Sequence, residues 1–402
     1  MKVLAFAYAC EPDKGSEPGA GWMLVRNLAT IGEVWVITRA NNRPVIEARS
    51  TSTGELADVH FVYVDLPRWA RAWKKGTRGM RLYYVLWQLA ALRRARSLKA
   101  RETFDCVWHL TIANAWLGSA AALVGLPFVY GPVGGGVGAP LGLVPSLGAR
   151  GAAYEVLREV ARQAARYLNP LARASWRNAD LILVQNEETR RWLPARHRGK
   201  ALVYHHAAVE GTDLVPAGRG PGHTAVLAAR LIAWKGGALA IRAIARSPQW
   251  RLIVCGTGPE EARLRRLAAK LGVGGRVDFR GRVPQEELSS IYAGEADVFL
   301  FPSIHDDAPL AVAEAVAAGL PVVCLDVGGP HLIAGEAGTV VGSRGRASKV
   351  VKALASALEE AAAAGPPSAE TRRRVLMHER REGLLDIVTK AIPRRSGEHR
   401  SR

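Results

Sequence analysis

The chain predicts an α/β protein built as two parallel-sheet domains that face each other across a cleft. Three observations carry that expectation. At 402 residues the chain is too long for one ordinary core, since domains run to about 150 residues each. Short apolar runs bounded by Gly, Pro or Asp alternate with longer helical patterns. That alternation occurs twice, on either side of a Gly/Pro-rich stretch, GTDLVPAGRGPGH, at 211–223.

The first series of strands is expected at 2–8, 33–38, 60–64, 105–109, 127–131 and 180–184. These runs show little polar alternation, so both faces are buried, as in a parallel sheet covered by helices. Helical patterns between them include 20–31 and 81–101. The second series predicts strands at 224–229, 250–255, 276–280, 296–301, 321–325 and 338–341. Its helices are expected at 236–247, 260–271, 285–293, 308–318 and 346–364. The organisation read from this is a domain at 1–210, a linker at 211–223 and a second domain at 224–370. Residues 371–402 form a last helix, able to pack back on the first domain, and a basic tail. The two halves echo each other: GLPFVYGPVGGG at 125–136 and GLPVVCLDVGGP at 319–330. Each is a tight turn, a buried strand and a glycine loop, which points to related βαβ construction. In open parallel sheets, ligands sit off the carboxyl ends of the strands.

With 49% hydrophobic and 23% charged residues, the composition excludes a mostly disordered chain. No run reaches the roughly 18 to 20 apolar residues of a membrane span. The start, MKVLAFAYACEPDKGSE, reads as a buried first strand rather than a signal peptide. Cys10, Cys106, Cys255 and Cys324 form no C-x-x-C pair and read as buried free thiols of a reducing cytoplasm. Lys and Arg total 55 against 36 Asp and Glu, a net charge of +19. Such an excess suits an anionic partner: nucleic acid, phospholipid headgroups or phosphorylated small molecules.

Several chemistries lack their motif. There is no P-loop, no zinc-spaced His/Cys cluster, no G-x-S-x-G and no D-x-D. GGGVGA at 134–139 has a dinucleotide-like spacing, but Pro132, Pro140 and Pro145 crowd it and no helix is expected to open there. The second half is richer. Arg230 ends one strand and Lys235 follows five residues later. A pyrophosphate held without metal needs fixed cations of this kind, although a solvated basic turn reads the same way. The segment FPSIHDDAPLAVAEAVAAG at 301–319 carries Asp306 and Asp307 in a loop. A helix is expected to start near Ala308, with Pro309 in its first turn and Asp307 as N-cap. Its free N–H groups would suit a phosphate. Glu314 is the lone charge on that helix, seven residues after Asp307 and so on one face with it. It either faces water or takes a partner such as a ribose diol. CGTGPE at 255–260 and GRVP at 281–284 add glycines at strand ends, where backbone can approach a ligand.

As a set, these features resemble family 4 retaining glycosyltransferases, whose GT-B fold pairs two Rossmann-like domains. The resemblance rests on Arg230 and Lys235, the CGTGPE turn, FRGRVP at 279–284, the F-P-S loop at 301–303, and Asp306/Glu314 leading into AVAAGLPVV. In the first half it rests on ACEPDKGSEPGAGW at 9–22, Trp108-His109 and the GPVGGG loop at 131–136. It spans about residues 1–340. The resemblance implies that Arg230 and Lys235 neutralise a donor diphosphate and that Glu314 binds the nucleotide ribose. It implies that Asp306, Ala308, Pro309 and Leu310 contact the transferred sugar and phosphates. Gly19 and Gly256 would approach the donor, Arg282 and Val283 would meet the base, and His109 would serve the acceptor side. Asp306 stands where the family usually has Glu, and Asp307-Ala308-Pro309-Leu310 departs from the usual Phe-Gly, which bears on the sugar's identity. The implied donor is a nucleoside-diphosphate sugar and the acceptor a hydroxyl, with no metal and no cofactor.

Residues 68–101 hold eleven Lys/Arg and no acid, with Trp69, Trp73, Tyr83, Tyr84 and Trp87 interleaved. Cations beside interfacial aromatics suit an anionic membrane surface and a lipid-linked acceptor; an amphipathic helix with a solvated basic face is the rival reading. The expected location is the cytoplasm, peripheral to the membrane. Two other functions compete: a lapsed homologue that binds nucleotide sugar without transfer, and a basic nucleic-acid-binding protein, for which no reader motif is present.

Overall fold

A computed structural model describes residues 1–12, 14, 16–67, 79–112, 114–209 and 222–392. The expected linker falls outside these residues except for Gly222 and His223, as do Trp69 and Trp73. Among the described residues no helix is long and apolar enough to cross a membrane.

Thirteen strands form two sheets among the described residues, every pair parallel. The first holds β1 (Lys2–Phe6), β2 (Glu33–Arg39), β3 (His60–Val64), β4 (Cys106–His109), β5 (Phe128–Val133), β6 (Leu181–Val184) and β7 (Ala201–Val203), in the order β3-β2-β1-β4-β5-β6-β7. The second holds β8 (Thr224–Ala228), β9 (Arg251–Cys255), β10 (Val277–Gly281), β11 (Val298–Phe301), β12 (Val322–Leu325) and β13 (Gly338–Val341), in the order β10-β9-β8-β11-β12-β13. The fold class is therefore the expected one. The echoed segments end up as equivalent strands, since β5 and β12 each lie beside the strand that follows the reversal of order.

Each order reverses between the first and fourth strand of its sheet, β1/β4 and β8/β11. At such a switch point the connections leave in opposite directions and open a crevice at the carboxyl ends.

The first-lobe helices used below are α1 (Ser16–Ala29), α2 (Arg43–Thr53), α3 (Met80–Lys99), α4 (Gly148–Leu168), α5 (Pro170–Asn178) and α6 (Glu187–Trp192). Those of the second half are α7 (Gly237–Arg246), α8 (Glu261–Lys270), α9 (Gln285–Gly294), α10 (Leu310–Ala317), α11 (Pro330–Ala334), α12 (Ala347–Ala364), α13 (Ala369–Arg373) and α14 (Met377–Ala391). Alternate residues of β1 point to opposite faces. Leu4 and Phe6 join Trp87, Trp176 and Ala172 on one side, and Val3 and Ala5 join Trp22, Val25 and Trp108 on the other. All four cysteines are free and buried.

Two segments cross between lobes. Val137, Leu143 and Leu147 are buried in the second lobe's core with Leu227, Ile241 and Leu354. In return, Leu384 and Val388 of α14, with Ile392 just past its end, join the first lobe's core beside Trp22 and Leu28. The three-residue β7 escapes sequence reading because it is too short to show a period. A 3₁₀ stretch at Leu141–Leu147 follows the glycine loop and contains Pro145, where no helix was expected.

Three expectations need correction. Gly19 lies in the first turn of α1 and not in a loop, and a Cβ there would meet the Lys14 carbonyl oxygen at 1.8 Å. It thus permits the tight entry into the helix. Next, α10 starts at Leu310, two residues later than expected, with Pro309 as its N-cap and no side-chain cap. The residue before a proline is driven to extended backbone, so Ala308 cannot be helical. Last, Tyr83, Tyr84 and Trp87 of α3 are buried in the core cluster; they are not interfacial.

Candidate active site

Both switch points open on the same space. At the first, β4 ends in His109, which is 2% exposed. Its Nδ1 lies 3.0 Å from Ser119 Oγ, and its Nε2 is buried without a well-formed hydrogen bond. Burial lowers the imidazole to about 4, with the Ile112 backbone a smaller opposing influence. His109 is therefore neutral near pH 7 and suited to orienting hydroxyls. Sequence reading missed Glu17 in the first turn of α1. Its Oε2 accepts from the Ile112 N–H at 3.0 Å. Burial raises this carboxyl, the Ile112 hydrogen bond opposes that, and the charge of Asp307 raises it further. An acid set between Gly15 and Gly19 was the available signal.

At the second switch point, β8 leads to Arg230, which is exposed and makes no side-chain hydrogen bond or ion pair among the described residues. Lys235 ends a short 3₁₀ turn, Ala233–Lys235. Its Nζ lies 2.5 Å from Asp306 Oδ2, and Ser303 Oγ donates to the same oxygen at 3.2 Å. The two sequence-predicted charges of opposite sign are thus brought together. Gly256, at φ +141°, sits with its Cβ position 1.9 Å from the Ala229 carbonyl oxygen. Only glycine lets the ends of β8 and β9 approach this closely. Arg282 is exposed, and Val283 packs against the second core.

Glu314, on α10, is partly buried. Burial raises its carboxyl, and a hydrogen bond from Gln285 at the start of α9 partly offsets this. Glu314 and Asp307 do not share a helix face, because Asp307 precedes the helix.

Asp307 instead reaches into the first lobe. Its Oδ2 accepts from the Gly135 N–H at 2.8 Å and its Oδ1 from Asn186 Nδ2 at 3.0 Å. A Cβ on Gly134 would stand 2.3 Å from Asp307 Cγ. On the other side, Gly329 N–H donates to the Asp306 carbonyl at 2.8 Å. The two echoed glycine loops therefore grip the Asp306–Asp307 pair from opposite lobes. Burial raises the Asp307 carboxyl, while the Asn186 and Gly135 hydrogen bonds pull it back. Further cross-lobe contacts lie beside it. Glu188 Oε1 accepts from the Gly328 N–H at 3.1 Å. Trp234 stacks between Tyr154 and His305, with ring centroids 5.1 and 5.0 Å apart. His305 Nδ1 lies 3.3 Å from Glu155 Oε1. Among the described residues, no three His, Cys, Asp or Glu converge as a metal ligand set.

This geometry meets a matching set of relatives. The family model for glycosyl transferases group 1 matches residues 220–375. The GDP-mannose-dependent alpha-(1-6)-phosphatidylinositol monomannoside mannosyltransferase of Mycolicibacterium smegmatis is 30% identical over 314 residues, 72% of this chain and 78% of that protein. The chain belongs to the group 1 glycosyl transferases. Another relative of this transferase, the exopolysaccharide phosphotransferase SCO2592 of Streptomyces coelicolor, is 36% identical over 158 residues, 37% of this chain; the chain spans 16% of that protein's length. Among solved structures, Anabaena HepE in complex with UDP-glucose superimposes with a TM-score of 0.60 over 97% of this chain and 100% of that one. At 16% identity that likeness concerns the fold.

Proposed function

We propose that this transferase moves a hexose from a nucleoside-diphosphate sugar to a hydroxyl acceptor in glycan, glycolipid or polysaccharide synthesis, with retention and without a metal. The observation that carries the reading is the placement of Arg230, Lys235 and Asp306 at the β8/β11 switch point, opposite His109 at β1/β4. The names of relatives agree with it, one a GDP-mannose-dependent mannosyltransferase and another a structure holding UDP-glucose.

The donor diphosphate would meet Arg230, which has no acid partner among the described residues, and Lys235, released in part from Asp306. As the C1–O bond breaks, negative charge grows on the phosphate, and these fixed cations stabilise it without reorganising. The acceptor hydroxyl attacks C1 on the same face, and its proton passes to the leaving phosphate oxygen. Asp306, freed at one oxygen, and neutral His109 orient sugar and acceptor hydroxyls. Glu314 would accept from the ribose diol, a use for a carboxylate that burial otherwise disfavours. Backbone at Arg282 and Val283 would meet the base.

A thermal-shift panel of nucleotide sugars tests the donor, because a ligand raises the melting temperature by mass action. A shift for at least one nucleoside-diphosphate sugar, with slow donor hydrolysis that survives EDTA, is expected. Donor binding without any hydrolysis would instead identify a lapsed homologue, and loss of hydrolysis in EDTA would overturn metal independence.

A further inference from the structure

Helix α4 is amphipathic in the reverse sense for a surface helix. Its charged side faces the protein, with Glu155 and Arg162 only 4% and 7% exposed. Arg158 donates to Glu155 Oε2 at 3.0 Å and to the Val137 carbonyl at 2.9 Å. Arg162 holds Glu159 and the Gly136 carbonyl. The opposite side, which faces solvent, carries Val156, Leu157, Val160, Tyr167 and Leu168, between 59% and 77% exposed. At 100° per residue these five fall on one stripe. An apolar stripe of this kind marks a contact surface.

The charges around the stripe say what it contacts. Beside Tyr167 lies a cavity of about 440 Å³ lined by Arg166, Arg173 and Arg196 together with Trp176. Among the described residues none of these three guanidinium groups meets a carboxylate. Arg173 reaches only the Tyr167 carbonyl at 3.5 Å, Arg196 the ring of His197 at 3.1 Å, and Arg166 the faces of Tyr167 and Trp192. Residues 148–178 hold six arginines and two acids, and both acids are tied to Arg158 and Arg162. A second copy of the chain would set these unpaired arginines against their own images across a two-fold axis, with no acid between them. A phosphate-bearing apolar surface satisfies both parts at once: acyl chains take the stripe and phosphates take the guanidinium forks. Helix α3, which packs on the same Ala120–Leu123 turn that α5 contacts through Asn178, also carries exposed Leu82, Val85 and Leu89.

We propose that this face docks on an anionic bilayer, with α4 in the interface plane and a lipid phosphate in the arginine cavity. The inward side of α4 holds the glycine loop and, through Glu155, His305. The docked surface is therefore one helix thickness from the cleft. The inference does not rest on the transferase reading.

Co-flotation of the full chain with phosphatidylglycerol/phosphatidylcholine vesicles, against phosphatidylcholine alone, tests it. The protein is expected to float with the anionic vesicles at low salt and to be released by high salt. The exposed double variant Leu157→Glu/Val160→Glu should lower partition by about tenfold or more. Arg166→Ala and Arg173→Ala should each lower it about fivefold. Circular dichroism melts should stay at the wild-type temperature, which separates lost docking from lost fold. Wild-type protein that ignores anionic vesicles would overturn the proposal, as would glutamate variants that float unchanged. Arginine variants that float unchanged would remove the cavity from it. A dimer in sedimentation that Leu157→Glu converts to monomer would assign the face to a second copy instead.

Discussion

Replacing Asp307 by alanine should open the cleft. The carboxylate makes two cross-lobe hydrogen bonds, from Gly135 N–H at 2.8 Å and Asn186 Nδ2 at 3.0 Å. A hydrogen bond to a charged group contributes about 1.5 to 3 kcal/mol, so the pair contributes about 3 to 6 kcal/mol gross. Burial of the carboxylate opposes this, as its raised pKa shows. A net change of about 2 to 4 kcal/mol in favour of the open form follows, or roughly 30- to 1000-fold in the closure equilibrium. Fluorescence energy transfer between one label on α2 and another on α8 reads the closure directly, and small-angle scattering gives an independent radius. Asn186→Ala should shift the same equilibrium by less, and adding it to Asp307→Ala should change little further, because the Asp307–Asn186 contact is already lost in the Asp307 variant. If Asp307→Ala leaves the unliganded distance distribution as in wild type, the clamp argument is wrong.

Glu314→Ala should weaken nucleotide-sugar binding by about 100-fold in calorimetry, the loss of two charge-assisted contacts, while the melting temperature holds because burial disfavours this carboxylate; unchanged donor affinity would remove Glu314 from the site. Lys235→Ala should lower kcat by about 100-fold with a smaller change in donor affinity, since leaving-group charge peaks in the transition state; equal losses in both would restrict Lys235 to ground-state binding. His109, held at about 4 against 6.5, binds fewer protons folded than unfolded between those values. Its contribution is complete above about pH 6.5 and is lost as the pH falls towards 4, about 3 kcal/mol in all. Urea unfolding of His109→Gln should therefore lose that slope relative to wild type. The raised carboxyls Glu17, Asp307 and Glu314 act in the opposite sense and cancel in the difference.

The strands were legible because parallel strands buried on both faces leave unbroken apolar runs, as in LIVC and VFLF. Lys235 and Asp306 were legible singly, as charges at strand ends, but their ion pair was not, because it depends on β8 and β11 lying side by side. Helix α4 was not, because its apolar side faces outward and its charges inward, the inverse of the pattern that betrays a surface helix. Nor was the role of Asp307. Its partners lie 172 and 121 residues away, and an acid before a helix looks locally like a cap. The glycine loop at 134–136 showed its composition but not its purpose, which is to admit a side chain from the other lobe.

The exchange of segments between lobes has a consequence for how the molecule can be cut and how it can move. A nick anywhere in residues 211–223 would leave the front fragment without Leu384 and Val388 over its sheet, and the rear fragment without Leu143 and Leu147. Each piece alone would display raw apolar surface and aggregate, whereas co-expressed fragments should reassemble into one active particle. When the jaws part, residues 137–147 must travel with the rear lobe, which places the fulcrum at Gly134–Gly136.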